Sequence, residues 1–283
     1  MRELTPHYPR HVSQDDEYVL GTHDEEIARL KLQHDVWRTH AQRAWQRAGF
    51  AEGQHLADVG CGPGFASVDL AEIVGIRGRV TAIDRSRRFL DVLVTTARSR
   101  GLSNLTPLER DLDDAVPLAI DRLDGAWVRW VFAFVREPRA LLERITHRMA
   151  PGATIAIHEY FDYAAWRMLP ASDELHEFVV AVMRSWRATG GEPDIALSLP
   201  RWLEELGFSI VHLQPIVEVT SPTERSWQWL TAFVESGRKR LASIGDLSPE
   251  RSEAIGAAAR QWPVIRPAVR MMSPAVLEIV ARR

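Results

Sequence analysis

The chain has 283 residues, of which 46% are hydrophobic and 26% are charged. This composition is that of an ordinary globular protein, and the length suits one large domain or a domain with a substantial insertion. The formal net charge of −3 argues against nucleic-acid binding, which requires a concentrated positive surface. The single cysteine, Cys61, excludes an internal disulfide framework and a thiolate metal cluster, and it fits a reducing cytoplasm.

The sequence shows no membrane segment and no metal site. A membrane span needs about 18 apolar residues, and the run from Trp127 to Val135 is shorter and is interrupted by Arg129. The stretch from Met1 to Asp16 has no apolar signal-peptide core. Five histidines occur in the first 40 residues, but none has a convincing carboxylate or thiolate partner for a metal. We therefore expect a soluble, cytoplasmic protein that binds neither a metal nor a membrane.

The first section of the chain is predicted to be an irregular arm followed by one helix. Residues 1–20 form the arm, and Thr22 with Glu25 has the spacing of a capping box at a helix start. Apolar residues then recur at helical spacing from Ile27 to Ala48, which predicts one buried face. Gly53 closes this section.

From His55 onward, strands alternate with helices. Strands are predicted at 55–60, 79–84, 105–110, 124–132 and 153–160, with helices at about 64–75, 86–100 and 138–149. Strands separated by helix-length segments imply parallel βαβ units with right-handed crossovers. This pattern predicts an α/β fold of the doubly wound, Rossmann-like kind.

The regular alternation ends after Tyr163. Residues 164–190 are predicted to be a helical insertion, and later elements are a short helix at about 200–206, a strand at about 209–218, helices at 222–242 and 248–261, and a last strand at 275–280. We expect a mostly parallel, seven-stranded sheet with a helical N-terminal arm and helical lids. The predicted parts are an arm over 1–52, a cofactor-binding core over 53–163, a lid over 164–198, and the rest of the core over 199–283 with a second helical insertion at about 221–267.

The most informative segment is the glycine-rich turn after the first predicted strand. It follows an apolar strand and opens a helix, the context in which such a loop binds a nucleotide. Its glycines are Gly60, Gly62 and Gly64, which let the backbone turn sharply and approach a ligand closely. A dinucleotide-binding loop would need a third glycine at position 65, where this chain has Phe65. Asp58 stands two residues before the first glycine, and the resulting order resembles the S-adenosylmethionine (SAM) binding loop of class I methyltransferases.

Two further strand ends are predicted to contact the nucleotide. Asp84 ends the second strand, beside the glycine loop, where a carboxylate can accept hydrogen bonds from both ribose hydroxyls; its neighbour Arg85 is included in the predicted site. The alternative is that Asp84 is an ordinary aspartate in a surface turn. By the resemblance, Asp111 receives the adenine amino group and Leu112 packs nearby, the alternative being an exposed loop carboxylate.

Other segments resemble the ubiquinone/menaquinone-methyltransferase-like group of bacterial small-molecule methyltransferases. They are 18–30 with Gln33, 124–135 with Pro138, 149–153, and 190–195 with Leu199-Pro200. The resemblance implies that Arg129 lies near the methionine part of SAM and that Tyr18 and Gln33 close over the cofactor. Ordinary packing or solvation is the alternative for all three.

The implied activity is transfer of a methyl group from SAM to a small metabolite, such as one in natural product biosynthesis, which leaves S-adenosylhomocysteine (SAH). The expected acceptor is an oxygen or nitrogen atom and, less readily, a carbon atom. His158 and Glu159 end the fifth predicted strand, where parallel sheets place ligands, and are the candidates for accepting a proton from the acceptor. The alternative is a polar strand end capped by hydrogen bonds. Trp127, Trp130, Trp166 and Trp186 are expected near the same edge, where aromatic faces can hold a sulfonium.

Other functions remain in competition with this hypothesis. A non-catalytic SAM-binding protein, or a SAM-fold enzyme with a non-methylating reaction, would keep the same loop. Phe65 disfavours a nicotinamide dehydrogenase. A nucleic-acid methyltransferase is disfavoured for two reasons. No basic cluster stands out in the sequence beyond residues 238–240, and no Asn/Asp-Pro-Pro-aromatic motif is present. A homodimer is left open.

Overall fold

The computed structural model describes residues 24–265 and 268–283. The helices are α1 (Asp24–Ala48), α2 (Phe65–Val74), α3 (Arg87–Ser99), α4 (Pro138–His147), α5 (Asp173–Ala188), α6 (Leu199–Glu205), α7 (Arg225–Ser243) and α8 (Pro249–Ile265). The strands are β1 (His55–Val59), β2 (Arg79–Asp84), β3 (Leu105–Glu109), β4 (Leu123–Arg129), β5 (Met149–Asp162), β6 (Arg167–Leu169), β7 (Ser209–Ile216), β8 (Val219–Thr220), β9 (Arg270–Met272) and β10 (Ala275–Arg282).

Seven strands pair into one sheet in the order β3-β2-β1-β4-β5-β10-β7. Neighbouring strands from β3 to β5 are parallel, whereas β10 runs antiparallel to both β5 and β7. The predicted mostly parallel, seven-stranded Rossmann-like sheet is confirmed. The strand order changes direction between β1 and β4, and in open α/β sheets ligands bind beside the carboxyl ends of the strands at such a point.

Apolar clusters cover both faces of this sheet. On one face α1 and α2 pack through fully buried side chains such as Trp45 and Leu70. On the other face the cluster includes Leu141 and Leu142 of α4 and Leu203 of α6. A third, largely aromatic cluster joins α5, α7 and α8 to Trp37 of α1 and Tyr160 of β5. Helices α5, α7 and α8 therefore gather around the end of β5 and α1.

Two element predictions are wrong. Strand β4 ends at Arg129 rather than at residue 132, because Trp130 has a φ of 52° and turns the chain out of the strand. The predicted helical insertion at 164–190 contains strand β6, and only 173–188 is α-helical. The small antiparallel sheet β6-β9-β8 was not predicted.

Among residues 24–265 and 268–283, no helix is long and apolar enough to cross a membrane. In the same ranges, no three His, Cys, Asp or Glu side chains come together as a set that could hold a metal ion.

Candidate active site

A cleft opens at the carboxyl edge of the sheet, where the loops after β1, β2, β3 and β4 meet the end of β5. It contains about 1480 Å³ of unfilled space, counted to include its open mouth. The lining runs from the glycine loop to the aromatic side chains at and after the end of β5. Its two ends differ in chemistry: one is polar and lies at the glycine loop, and the other is aromatic.

The glycine loop between β1 and α2 forms the floor of the polar end. Gly60, Gly62 and Gly64 have φ values of 69°, 55° and 79°, in the left-handed region that favours glycine. A Cβ at Gly60 would lie 2.3 Å from Cγ2 of Val131, and one at Gly64 would lie 2.3 Å from Cδ1 of Leu93. No side chain caps α2 at Gly64, so the first amides of this helix are available to a polar ligand.

Asp84 holds the glycine loop in place. One carboxylate oxygen accepts a hydrogen bond from the Gly62 amide and the other accepts one from the Ser86 amide, both at 2.8 Å. The residue is 6% exposed, and burial raises the pKa of its carboxyl although the backbone hydrogen bonds act in the opposite direction. A carboxylate has about four acceptor positions. The Arg85 amide also bonds to this carboxylate, so at least one position is left for a ligand in the cleft, which Asp84 lines.

Asp58 ties β1 to α2 beneath the loop. Its carboxylate accepts a hydrogen bond from the Ser67 hydroxyl at 2.5 Å. Burial raises the pKa of Asp58 to about 6. This contact fixes the angle at which α2 leaves the sheet, because Ser67 lies in the first turn of that helix.

Arg129, the last residue of β4, brings a positive charge to the cleft. Its guanidinium carbon lies 5.1 Å from the centre of the Trp130 ring, and Nη2 lies 3.4 Å from Nδ1 of His34. Within the described part of the chain its buried Nη1 has no hydrogen-bond partner. Burial lowers the pKa of Arg129 to about 10, so the group is still cationic at neutral pH. Such a cation suits a carboxylate ligand.

His34 supports Arg129 from α1. Its Nε2 lies 3.2 Å from an Asp69 oxygen, and the same carboxylate accepts two hydrogen bonds from Arg38. Burial lowers the pKa of His34. Both ring nitrogens are engaged, which favours the interpretation of His34 as a satisfied core histidine.

The remaining predicted cofactor residues that the structure describes also line the cleft, whereas Gly64 of the glycine loop does not. Asp111 follows β3, where its Oδ1 accepts a hydrogen bond from the Asp113 amide at 2.9 Å and its Oδ2 lies 3.9 Å from Nη1 of Arg85. Leu112 and Gln33 line the same cleft. Tyr18 lies outside the described residues.

Gln33 joins α1 to α7 above the cleft. Its side-chain oxygen accepts hydrogen bonds from Arg29 and from the Trp229 indole, both at 3.1 Å. Three further residues line the cleft that were not predicted from the sequence: Arg29, Trp229 and Phe233. The spacing of Arg29 to Gln33, and of Trp229 to Phe233, is four residues on a helix, which puts each pair on one face and could have indicated them.

The two candidate bases lie outside the cleft lining, and this corrects the hypothesis that either meets the acceptor. His158 is 0% exposed and its Nε2 lies 2.9 Å from Glu278 of β10, while burial lowers its pKa to about 4. Glu159 is also 0% exposed. The capped strand end, which was the alternative, fits Glu159, whereas the buried Nδ1 of His158 has no hydrogen-bond partner among the described residues.

Glu159 instead organises the loop after β4. One of its oxygens accepts from the amides of Val131, Phe132 and Ala133, at 2.9, 2.9 and 3.4 Å, and the other accepts from Tyr160 at 3.1 Å. Burial raises the pKa of this carboxyl to about 7, although the four amide hydrogen bonds oppose that rise. The loop so fixed carries Val131, whose side chain fills the space that a side chain at Gly60 would need.

Part of the chain matches a known protein family. Residues 56–152 match the family described as "Methyltransferase domain". These residues form a methyltransferase domain.

The individual proteins that this chain resembles have low sequence identity to it. A 2-phytyl-1,4-naphtoquinone methyltransferase of Synechocystis sp. is 28% identical over 176 residues, which are 60% of this chain and 71% of that protein. The crystal structure of the [4+2]-cyclase SpnF has a TM-score of 0.53 at 19% identity, covering 87% of this chain and 80% of that one. Coclaurine N-methyltransferase, bound to N-methylheliamine and SAH, has a TM-score of 0.55 at 16% identity, covering 87% and 72%. The two structures share the fold.

The contact between Gly60 and Val131 predicts a large cost for Gly60→Ala. A positive φ costs an L-residue about 1–2 kcal/mol, and overpacking adds about 1–3 kcal/mol. Gly101→Ala is the matched control, because Gly101 has a φ of 67° but a Cβ there meets nothing within 4 Å. Denaturant unfolding should show Gly60→Ala losing more stability than Gly101→Ala by about 1–3 kcal/mol. Equal losses of stability in the two variants would show that the close contact between Gly60 and Val131 does not affect stability.

The four amide contacts of Glu159 predict that Glu159→Gln loosens the loop after β4. The amide group of glutamine is a donor and would face at least one backbone N–H, leaving it unsatisfied at a cost of about 1–3 kcal/mol. Unfolding should therefore be easier, and calorimetry should show weaker SAH binding. Glu278→Gln, which removes a buried carboxylate outside the cleft, should lower stability without changing SAH affinity. Native SAH affinity in Glu159→Gln would contradict this role.

Proposed function

We propose that the polar end of the cleft binds SAM and that the aromatic end holds a small organic acceptor, methylated at oxygen or nitrogen and less readily at carbon. SAM supplies a methyl group already activated on a positively charged sulfur. The proposal rests on two residues that line the same cleft. The Asp84 carboxylate has an acceptor position that is not used within the protein, and the buried Nη1 of Arg129 has no hydrogen-bond partner among the described residues.

The donor set fits the parts of SAM. Asp84 accepts hydrogen bonds from the ribose hydroxyls, and the amides beside Gly62 approach the ligand without a side chain between them. Arg129 pairs with the amino-acid carboxylate. Asp111 and Leu112 contact the adenine. An unpaired cation next to an apolar wall is costly, so an anionic ligand group at Arg129 relieves an existing imbalance.

The chain's contribution to catalysis is orientation and exclusion of water. Holding two reactants in line can supply about 7–11 kcal/mol of the barrier. The rings of Trp130 and Trp127 at the boundary between the two ends can face a sulfonium without competing as nucleophiles. No step is assigned to His158 or Glu159, since their side chains are held away from the cleft.

The second candidate is a SAM-binding protein whose reaction does not transfer the methyl group. The same residues would bind the ligand in that case, and a SAM-type fold is also found in a structure named a [4+2]-cyclase. Incubation with methyl-labelled SAM and a panel of phenols, amines and carboxylates separates the two. Label in an acceptor supports the methyltransferase, whereas binding without incorporation across the panel favours the second candidate.

Asp84→Asn tests the cofactor site directly. Loss of the charge weakens the hydrogen bonds to ribose, each worth about 1.5–3 kcal/mol when made to a charged group. Calorimetry should show SAM and SAH binding to the native chain, no heat with NAD, and a loss of about ten- to hundredfold in affinity in the variant. Asp121→Asn, at an exposed residue paired with Arg79, should bind as the native chain does. Unchanged affinity in Asp84→Asn would refute the ribose assignment.

A further inference from the structure

Six buried aromatic side chains, here called the aromatic chamber, are among those that line the aromatic end of the cleft. Each of them is at most 9% exposed. They are Trp130, Tyr160, Tyr163, Trp166, Trp186 and Trp229. Aromatic walls offer flat apolar faces and favour stacked or edge-to-face contact with a planar ring.

Within this apolar chamber, Tyr160 and Tyr163 are the two residues that carry a hydroxyl group. Their rings meet edge to face with centres 4.9 Å apart, and Tyr160 stacks on Trp130 at 5.6 Å. Their backbone amides are engaged by Glu159 and Asp194. In the ranges that the structure describes, neither hydroxyl has a hydrogen-bond partner.

Both hydroxyls remain protonated donors at neutral pH. Burial raises the pKa of Tyr160 and of Tyr163 above the ordinary tyrosine range, and the Arg29 cation acts on both in the opposite direction. They are therefore unsuited to act as bases. Neither hydroxyl is among the fully buried side-chain atoms that lack a partner, so each is open to the cleft and can donate a hydrogen bond to a ligand there.

The charged groups around the pair are already committed to other partners. Arg29 is held by Glu26 through two hydrogen bonds, at 2.8 and 2.7 Å. Glu159 is occupied by four backbone amides, and Arg129 lies toward the polar end. No carboxylate of the described residues accepts a hydrogen bond from the pair, so the missing acceptor atom must come from another source.

We propose that Tyr160 and Tyr163 recognise the methyl acceptor, which is a planar aromatic molecule, by donating hydrogen bonds to one of its oxygen atoms. This rests on the proposed function, in that SAM occupies the polar end and leaves the chamber to the acceptor. The two tyrosines are specificity-determining residues. An oxygen-bearing arene satisfies both donors and fills the aromatic space, whereas a plain hydrocarbon of the same shape leaves the hydroxyls unpaired.

The test compares two probes of nearly equal shape on the full chain saturated with SAH. One is 2-acetylnaphthalene, whose carbonyl oxygen accepts hydrogen bonds, and the other is 2-ethylnaphthalene, which has no acceptor. Equilibrium dialysis should show the ketone binding about tenfold tighter, the effect of one or two net hydrogen bonds. Tyr160→Phe with Tyr163→Phe keeps both rings and should bring this ratio close to one by weakening the ketone alone.

Thr154→Val is the matched control, since it removes a buried hydroxyl from the same strand that bonds only to Ala48. Its ratio should equal that of the native chain. Equal binding of the two probes to the native chain, a preference that survives in the double variant, or no binding of either probe would overturn the proposal. Failure of SAH to bind, with the ketone preference intact, would instead contradict the proposed cofactor site.

Discussion

The carboxylate of Asp84 links three parts of the site. Its two oxygens fix the Gly62 amide and the Ser86 amide, so the glycine loop after β1 and the start of α3 have one common anchor. The same carboxylate faces the cleft with an acceptor position still unused. In the proposed function this buried carboxylate both shapes the loop and binds the ligand, and the rest of the cofactor site is arranged around it.

A second buried carboxylate, Glu159, does for the loop after β4 what Asp84 does for the loop after β1. It gathers consecutive amides around one oxygen and fixes a turn that Trp130 enters with a positive φ. Because Val131 from this turn packs against Gly60, the two loops position each other. Arg129 and Trp130 lie on either side of the junction, so the boundary between the polar end and the aromatic chamber follows from backbone geometry.

The cofactor half of the site could be predicted because its chemistry depends on local sequence. Gly60, Gly62 and Gly64 are required by positive φ values and close contacts, and Asp84 is recognisable from its place at a strand end. The sheet followed from the alternation of strands and helices. These features use neighbouring residues in the chain, and they require no knowledge of distant contacts.

The acceptor half could not be predicted in the same way. His158 has a suitable position in the sequence, but Glu278, which holds it, lies 120 residues away. The apolar residues after Arg129 favour a strand, and only the turn at Trp130 in three dimensions ends it. Strand β6 has three residues and takes its pairing from β9, so no local periodicity marks it. Tertiary contacts decided each of these cases.

The central claim is that one cleft holds an adenosyl ligand between Asp84 and an arginine at the end of β4. A crystal structure of the chain with SAH tests it most directly. The account predicts both ribose hydroxyls within hydrogen-bond distance of the Asp84 carboxylate and the ligand's carboxylate on Arg129, with the aromatic chamber unfilled by SAH. Ligand density elsewhere on the chain, or a ribose that does not contact Asp84, would contradict it.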